Sequence, residues 1–287
     1  MDASRKATLA GLLAILLWSS LALLTVATVG LPPFQVLAIA FSVAGTLGLL
    51  RAALRGDAGW AELRQPPAAL ALSTAALFGY HALYFIALKR APAVEANLLN
   101  YLWPLLIVVF AGFLPGVRIR PLQWLGTLMG LAAAVLLVTG GQRLQVDAGY
   151  LPGYLAAISA AVVWASYSVL NRRHAQVPSA AITVACLAVA LLGALVHLLV
   201  ERTVAPTPWQ WAALLAMGIG PTGAAFWLWD NGTKRGDIAL LGSLSYLAPL
   251  LSTVLLVLSG RAQPHPLQAV ALALLLAGAW LSTRASR

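Results

Sequence analysis

Ten runs of about 20 apolar residues, the length a helix needs to cross a bilayer, leave this chain few ways to fold. They fall at 8–29, 33–50, 68–88, 92–112, 121–140, 150–171, 179–200, 208–230, 238–258 and 265–283. Breaks bearing proline or charge separate most neighbours: Pro32-Pro33, Pro66-Pro67, Lys89-Arg90, Arg118 to Pro121, and Arg172-Arg173. The chain is 61% hydrophobic and only 9% charged, against about 25% charged in soluble domains. A water-exposed globule of that composition would have too little polar surface to cover itself, so the expected fold class is all-α integral membrane with ten transmembrane helices.

The formal charge of +10 does not point to nucleic acid, because the basic residues stand in twos and threes between apolar runs, as membrane-flanking anchors do. If the N-terminus is cytoplasmic, the inner loops hold Arg5, Lys6, Arg51, Arg55, Arg64, Arg118, Arg120, Arg172, Arg173, Lys234, Arg235, Arg284 and Arg287. The outer loops then hold only Lys89, Arg90, Arg143, Arg202 and Arg261. Lys and Arg in short loops favour the inside, so both termini are expected in the cytoplasm of a bacterial inner membrane. The first run is long enough to span and another follows at once, unlike a cleaved signal peptide. Cys186 lies in an apolar run and reads as a small buried hydrophobe.

The second half repeats the first. At an offset of 145 residues Lys89-Arg90 falls on Lys234-Arg235, Tyr101-Leu102 on Tyr246-Leu247, Pro104-Leu105 on Pro249-Leu250, and Pro121-Leu122-Gln123 on Pro266-Leu267-Gln268. With one residue of slip, Trp18 falls on Trp164 and Pro32 on Pro178. Two repeats follow, residues 1–145 (spans one to five) and 146–287 (spans six to ten). Five spans is an odd number, so the second repeat is expected upside down relative to the first. Inverted repeats are a recurring plan of secondary transporters, with the substrate held near the midplane between the halves.

Polar and aromatic residues inside the spans mark the candidate site. Asn97, Asn100 and Tyr101 are spaced i, i+3, i+4 and share one helical face, which would look inward because amides facing lipid are costly. Pro104 and Pro249 lack an N–H and are expected to kink spans four and nine, releasing the carbonyls of Asn100 and Ser245. Ser243, Ser245 and Tyr246 flank the second kink. Trp18, Tyr80, His81, Tyr84, Trp103 and Trp164 lie well inside their spans and would form an apolar chamber able to stack a ring. Trp124, Trp209, Trp211 and Trp280 sit near span ends as interfacial anchors. Trp227 and Asn231 share a face of span eight; Asp230 and Lys234 read as an ion pair at the membrane edge, and Glu95 as a partner of Lys89 and Arg90. Gly126 and Gly130, with Gly278 in span ten, are expected to pack helices closely.

The ten-span layout, Trp18-Ser19-Ser20, and the paired Tyr-Leu-x-Pro-Leu segments resemble the EamA-type branch of the drug/metabolite transporter superfamily, most of all its YddG-type exporters of aromatic and other neutral amino acids. The resemblance implies a transporter with alternating access around a midplane cavity, needing no cofactor, binding a small amino acid-like solute in the bilayer, and working as a monomer. Small multidrug antiporters of the same superfamily carry a glutamate in their first span; this chain has none there, which favours a neutral or zwitterionic solute. Proton-coupled export of other metabolites through Glu95 is the alternative. A membrane enzyme is more distant still: the histidines His81, His174, His197 and His265 lack metal-ligand spacing, and no catalytic serine has a recognisable partner.

Overall fold

A computed structural model describes residues 2–142 and 147–285. All regular structure among them is helical. Ten helices are long and apolar enough to span: Ala3–Ala27, Pro33–Leu54, Pro67–Arg90, Ala93–Ala111, Pro121–Thr139, Ala148–His174, Ser179–Val200, Pro208–Arg235, Ile238–Leu258 and Pro266–Ala285. We number them as spans one to ten. Arg143 and Arg287, counted above for orientation, lie outside the described residues. The helices overrun the apolar runs most at span one, which begins before Arg5 and Lys6, and span eight, which continues through Arg235. Lys and Arg are good helix formers, so hydropathy reports the lipid boundary and not the helix end. A short helix, Gly56–Leu63, between spans two and three was not anticipated. It turns off span two at Gly56, whose φ of +59° favours glycine, and its Glu62 accepts from both Arg51 and Arg55.

Most spans of the first half pack chiefly on one of the second: one with eight, two with seven, three with six and five with ten, while span four packs on both six and nine. Under the 145-residue correspondence, pairs two–seven, four–nine and five–ten each join a span to its own counterpart, while one–eight and three–six exchange. A two-fold relation between the halves would generate that pairing. Glycines let some of these helices touch backbone to backbone. A Cβ on Gly278 would lie 2.6 Å from the Gly126 carbonyl oxygen, and one on Gly232 would lie 2.7 Å from Gly11 Cα. Without a hydrophobic force between helices in lipid, such close contact is what holds them.

Four spans are interrupted. Span four breaks at Tyr101-Leu102 and resumes at Trp103, with Pro104 in the first turn of its second segment. Span nine breaks at the corresponding Ser245-Tyr246. Its Ser245 carbonyl is not released as expected, because the Ala248 N–H donates to it at 3.1 Å; the chain tightens by one residue at the break. Span one bends at Ser20. Span eight carries a π-helical turn, Gly220–Ala224, that was not anticipated. Pro221 removes the N–H that would serve the Met217 carbonyl, and the Thr222 hydroxyl donates to that carbonyl instead, at 2.9 Å.

Candidate functional site

The largest buried cluster lies where spans one, two, three, four, six, seven, eight and nine meet, and aromatic rings stand at its centre. Trp18 is its hub, with ring centroids at 6.4 Å from Trp103, 5.6 Å from Trp164, 5.7 Å from Phe226 and 5.1 Å from Trp229. Most of these contacts are edge-to-face, the geometry that aromatic quadrupoles favour. The bend in span one and the π turn in span eight set the hub in place, because the Trp18 indole donates to the Pro221 carbonyl at 3.0 Å. Trp164 carries the cluster on to Tyr80, 5.5 Å away. Tyr80 stacks on Tyr84 at 6.1 Å and meets His81 edge-on at 5.2 Å.

Polar groups line the far side of these rings. The Asn100 amide nitrogen donates to the Tyr80 hydroxyl at 3.1 Å, while its amide oxygen is buried with no partner. Leaving a buried acceptor unpaired costs about 1–3 kcal/mol, so this oxygen is a strong place for a ligand's N–H. The Tyr84 hydroxyl donates to Asn97, whose own amide nitrogen reaches the Ala93 carbonyl. Asn97 therefore braces Tyr84, with one partner on each amide atom. His81 Nδ1 lies 2.7 Å from the Leu77 carbonyl; that contact requires an Nδ1–H, and the imidazole ring packs 5.3 and 6.1 Å from Phe41 and Phe226. Tyr101 stands half-buried at the break in span four.

Ser243, Ser245 and Tyr246 are not brought to this chamber. Ser243 Oγ bonds to Thr127 of span five at 2.7 Å, and Ser245 donates to the Leu241 carbonyl at 2.7 Å. Tyr246 is fully buried among residues of spans five, nine and ten. Its ring fills the space above Gly130, where a Cβ would come within 2.5 Å. The residue equivalent to Gly130 in the second half is Leu275, so Tyr101 has no matching slot and the two halves diverge here.

Several residues were missed. Phe41, Phe226 and Trp229 are chamber residues, and Trp229 is wholly buried with its indole on Ser168 Oγ at 3.1 Å. Trp227, two positions earlier, is instead 40% exposed and lies under the Arg51 guanidinium at 5.2 Å. Two residues along an α-helix rotate a side chain to nearly the opposite face.

One end of the chamber is sealed. Asp230 and Lys234 pair at 2.9 Å, yet they are 1% and 5% exposed, so the pair is an interior one and not an edge contact. Asn171 of span six donates to Asp230 at 2.8 Å, and Lys234 donates to the Val177 carbonyl at 3.1 Å. Arg172 bonds the Thr233 and Gly236 carbonyls at 2.9 and 2.8 Å. Spans six and eight are thus tied together on the Lys- and Arg-rich side. At the other end Tyr80, His81, Tyr84, Asn97 and Tyr101 are mostly but not fully buried. Glu95 accepts from Tyr154 rather than from Lys89 or Arg90. Among the described residues no three His, Cys, Asp or Glu side chains group as metal ligands.

The sequence pattern of the EamA-like transporter family matches residues 5–139 and, a second time, residues 151–284. The chain belongs to the EamA-like transporter family. Within the drug/metabolite transporter superfamily it is of the YddG type. It is 50% identical over 285 residues, 98% of both chains, to the aromatic amino acid exporter YddG of Ancylobacter novellus. It is 30% identical over 270 residues to the exporter of the same name from Escherichia coli, covering 88% of this chain and 87% of that one. A solved crystal structure matches with a TM-score of 0.93 at 49% identity, covering 98% of this chain and 97% of that chain. This EamA family member is therefore a multi-pass membrane transporter protein, with a packed aromatic cluster between its halves.

Proposed function

We propose that this protein exports aromatic and other neutral amino acids across a bacterial inner membrane. The observation that carries the proposal is the Asn100 amide oxygen, buried and unpaired beside the Tyr80 hydroxyl, at the edge of a chamber walled by tryptophans. An ammonium group would satisfy that oxygen, and an aromatic or large apolar side chain would stack within Trp18, Trp103 and Trp164. Tyr84, His81 and Tyr101 would complete the wall on the partly buried side. The printed names of the relatives, aromatic amino acid exporters, agree with this choice.

In this reading residues 1–145 and 146–287 are two inverted repeats, both termini are cytoplasmic, and one chain suffices for transport. The sealed end then faces the cytoplasm and the other end faces outward. Transport requires the ties of Asn171, Arg172 and Lys234 between spans six and eight to part while the outer half closes. The breaks in spans one, four, eight and nine are where such bending costs least, since their i→i−4 bonds are already interrupted.

The test is counterflow in liposomes loaded with unlabelled phenylalanine, with no proton gradient imposed. Labelled phenylalanine should accumulate, be competed by other neutral amino acids, and be lost in Asn100→Ala and Tyr101→Ala. Transport of every solute left untouched in both variants would remove the site assignment. No accumulation by folded, inserted protein would remove the amino acid assignment.

A further inference from the structure

Outside the chamber, spans two, seven and eight enclose a cleft of about 320 Å³ at their Arg-rich ends, lined by Arg51, Glu62, Ser179, Trp227, Asn231 and Arg235. It runs on, through Arg51, Ala180 and Trp227, into a groove of about 190 Å³ along the same three spans. The two parts differ in chemistry. The one carboxylate in the cleft, Glu62, pairs with Arg51 at 3.0 Å and with Arg55, beside the cleft, at 2.6 Å. Arg235 meets only neutral acceptors, Asn231 at 2.8 Å and the Ala175 carbonyl at 2.9 Å. The cleft also receives the start of span seven, where a helix's first N–H groups favour an anion. There Ser179, only 9% exposed, is one of the lining residues, and its buried hydroxyl has no partner.

The groove is apolar. Gly48, Cys186 and Gly223 leave its floor low, and Leu47 and Ile219, 42% and 56% exposed, form its lips. It opens on the outside of the bundle, where a bilayer's acyl chains would lie. From Arg51 it follows one face of span two back to Ala44, about 10 Å at the helical rise, from headgroup depth into the hydrocarbon.

We propose that cleft and groove together bind one anionic phospholipid. Its phosphate lies between Arg51 and Arg235 with Ser179 as a further donor, and one acyl chain lies along Gly48, Gly223 and Ala224. Trp227, under Arg51 at 5.2 Å, sits at the join where glycerol would lie, the depth that tryptophan favours at membrane interfaces. A free phosphate would use the cleft alone; the apolar groove is what selects a lipid. Clusters of arginine near span ends attract anionic headgroups generally, but here the charge is set at the mouth of a built channel.

The experiment titrates delipidated protein in detergent with dioleoyl phosphatidylglycerol, dioleoyl phosphatidylcholine or glycerol phosphate, and counts bound molecules by native mass spectrometry. One phosphatidylglycerol should bind saturably and at least tenfold more tightly than phosphatidylcholine, with no competition from glycerol phosphate. Arg235→Gln, on an exposed side chain, and Ala224→Leu, which fills the groove and leaves every charge in place, should each weaken it at least tenfold. Equal binding of the two lipids, or undiminished phosphatidylglycerol binding in either variant, overturns the proposal. So does competition by glycerol phosphate, which would make the cleft a site for a free anion.

Discussion

Replacing Lys234 by methionine keeps the aliphatic length of the side chain and removes its charge, leaving the Asp230 carboxylate 1% exposed with two neutral donors, the Asn171 amide at 2.8 Å and the Tyr167 hydroxyl. Breaking a buried pair by removing one partner costs about 3–5 kcal/mol, because the remaining charge is stranded in low dielectric. Asp230→Asn is the mirror image: it leaves the ammonium on the Val177 carbonyl and a neutral amide. Removing both charges together strands neither, and such double replacements are often close to neutral. The coupling energy between the two sites should therefore reach about 3 kcal/mol or more. Equilibrium unfolding in mild detergent of the wild type, both single variants and the double variant measures it. Additive losses, or a Lys234→Met loss below about 1 kcal/mol, well under that stranded-charge cost, would refute the reasoning, since the pair would then be hydrated and not interior. In liposomes, the single variants should also transport more slowly if the sealed end depends on this pair.

Gly278→Ala should destabilise by about 1–3 kcal/mol in the same unfolding assay, because its Cβ would meet the Gly126 backbone at 2.6 Å, whereas Gly79→Ala, with the nearest atom at 4.0 Å, should gain up to about 1 kcal/mol from helix propensity. Trp18→Phe removes the donor to the Pro221 carbonyl and should cost about 1–3 kcal/mol; phenylalanine counterflow by the variant, compared with alanine counterflow, tests whether the loss falls on aromatic substrates. Glu95→Gln should leave gradient-free counterflow within about twofold, since Glu95 accepts from Tyr154 away from the aromatic chamber; abolished transport would favour the proton-coupled alternative.

The spans and their number were legible in the sequence because lipid imposes a length and a polarity on every crossing helix, and that requirement is local. The kink at Tyr101 and its counterpart at Tyr246 were legible because proline acts on its own backbone four residues away. The chamber's first ring of residues, Trp18, Tyr80, His81, Trp103 and Trp164, could be listed because aromatic side chains in mid-span are few. Which of the candidates meet one another was decided only by packing. Tyr101 and Tyr246 are equivalent in sequence, yet one stands at the chamber and the other is swallowed by the space over Gly130. Trp227 and Trp229 are two residues apart, and only the orientation of span eight against spans one and six turns the second inward. Asp230 and Lys234 were recognisable as a pair from their spacing, but their burial follows from Asn171, 59 positions earlier. Sequence alone determined what must lie in the membrane and where two of its helices, spans four and nine, bend. Tertiary structure decided which faces meet, because a helix rotated by one residue presents a different set of side chains, and only its neighbours select the rotation.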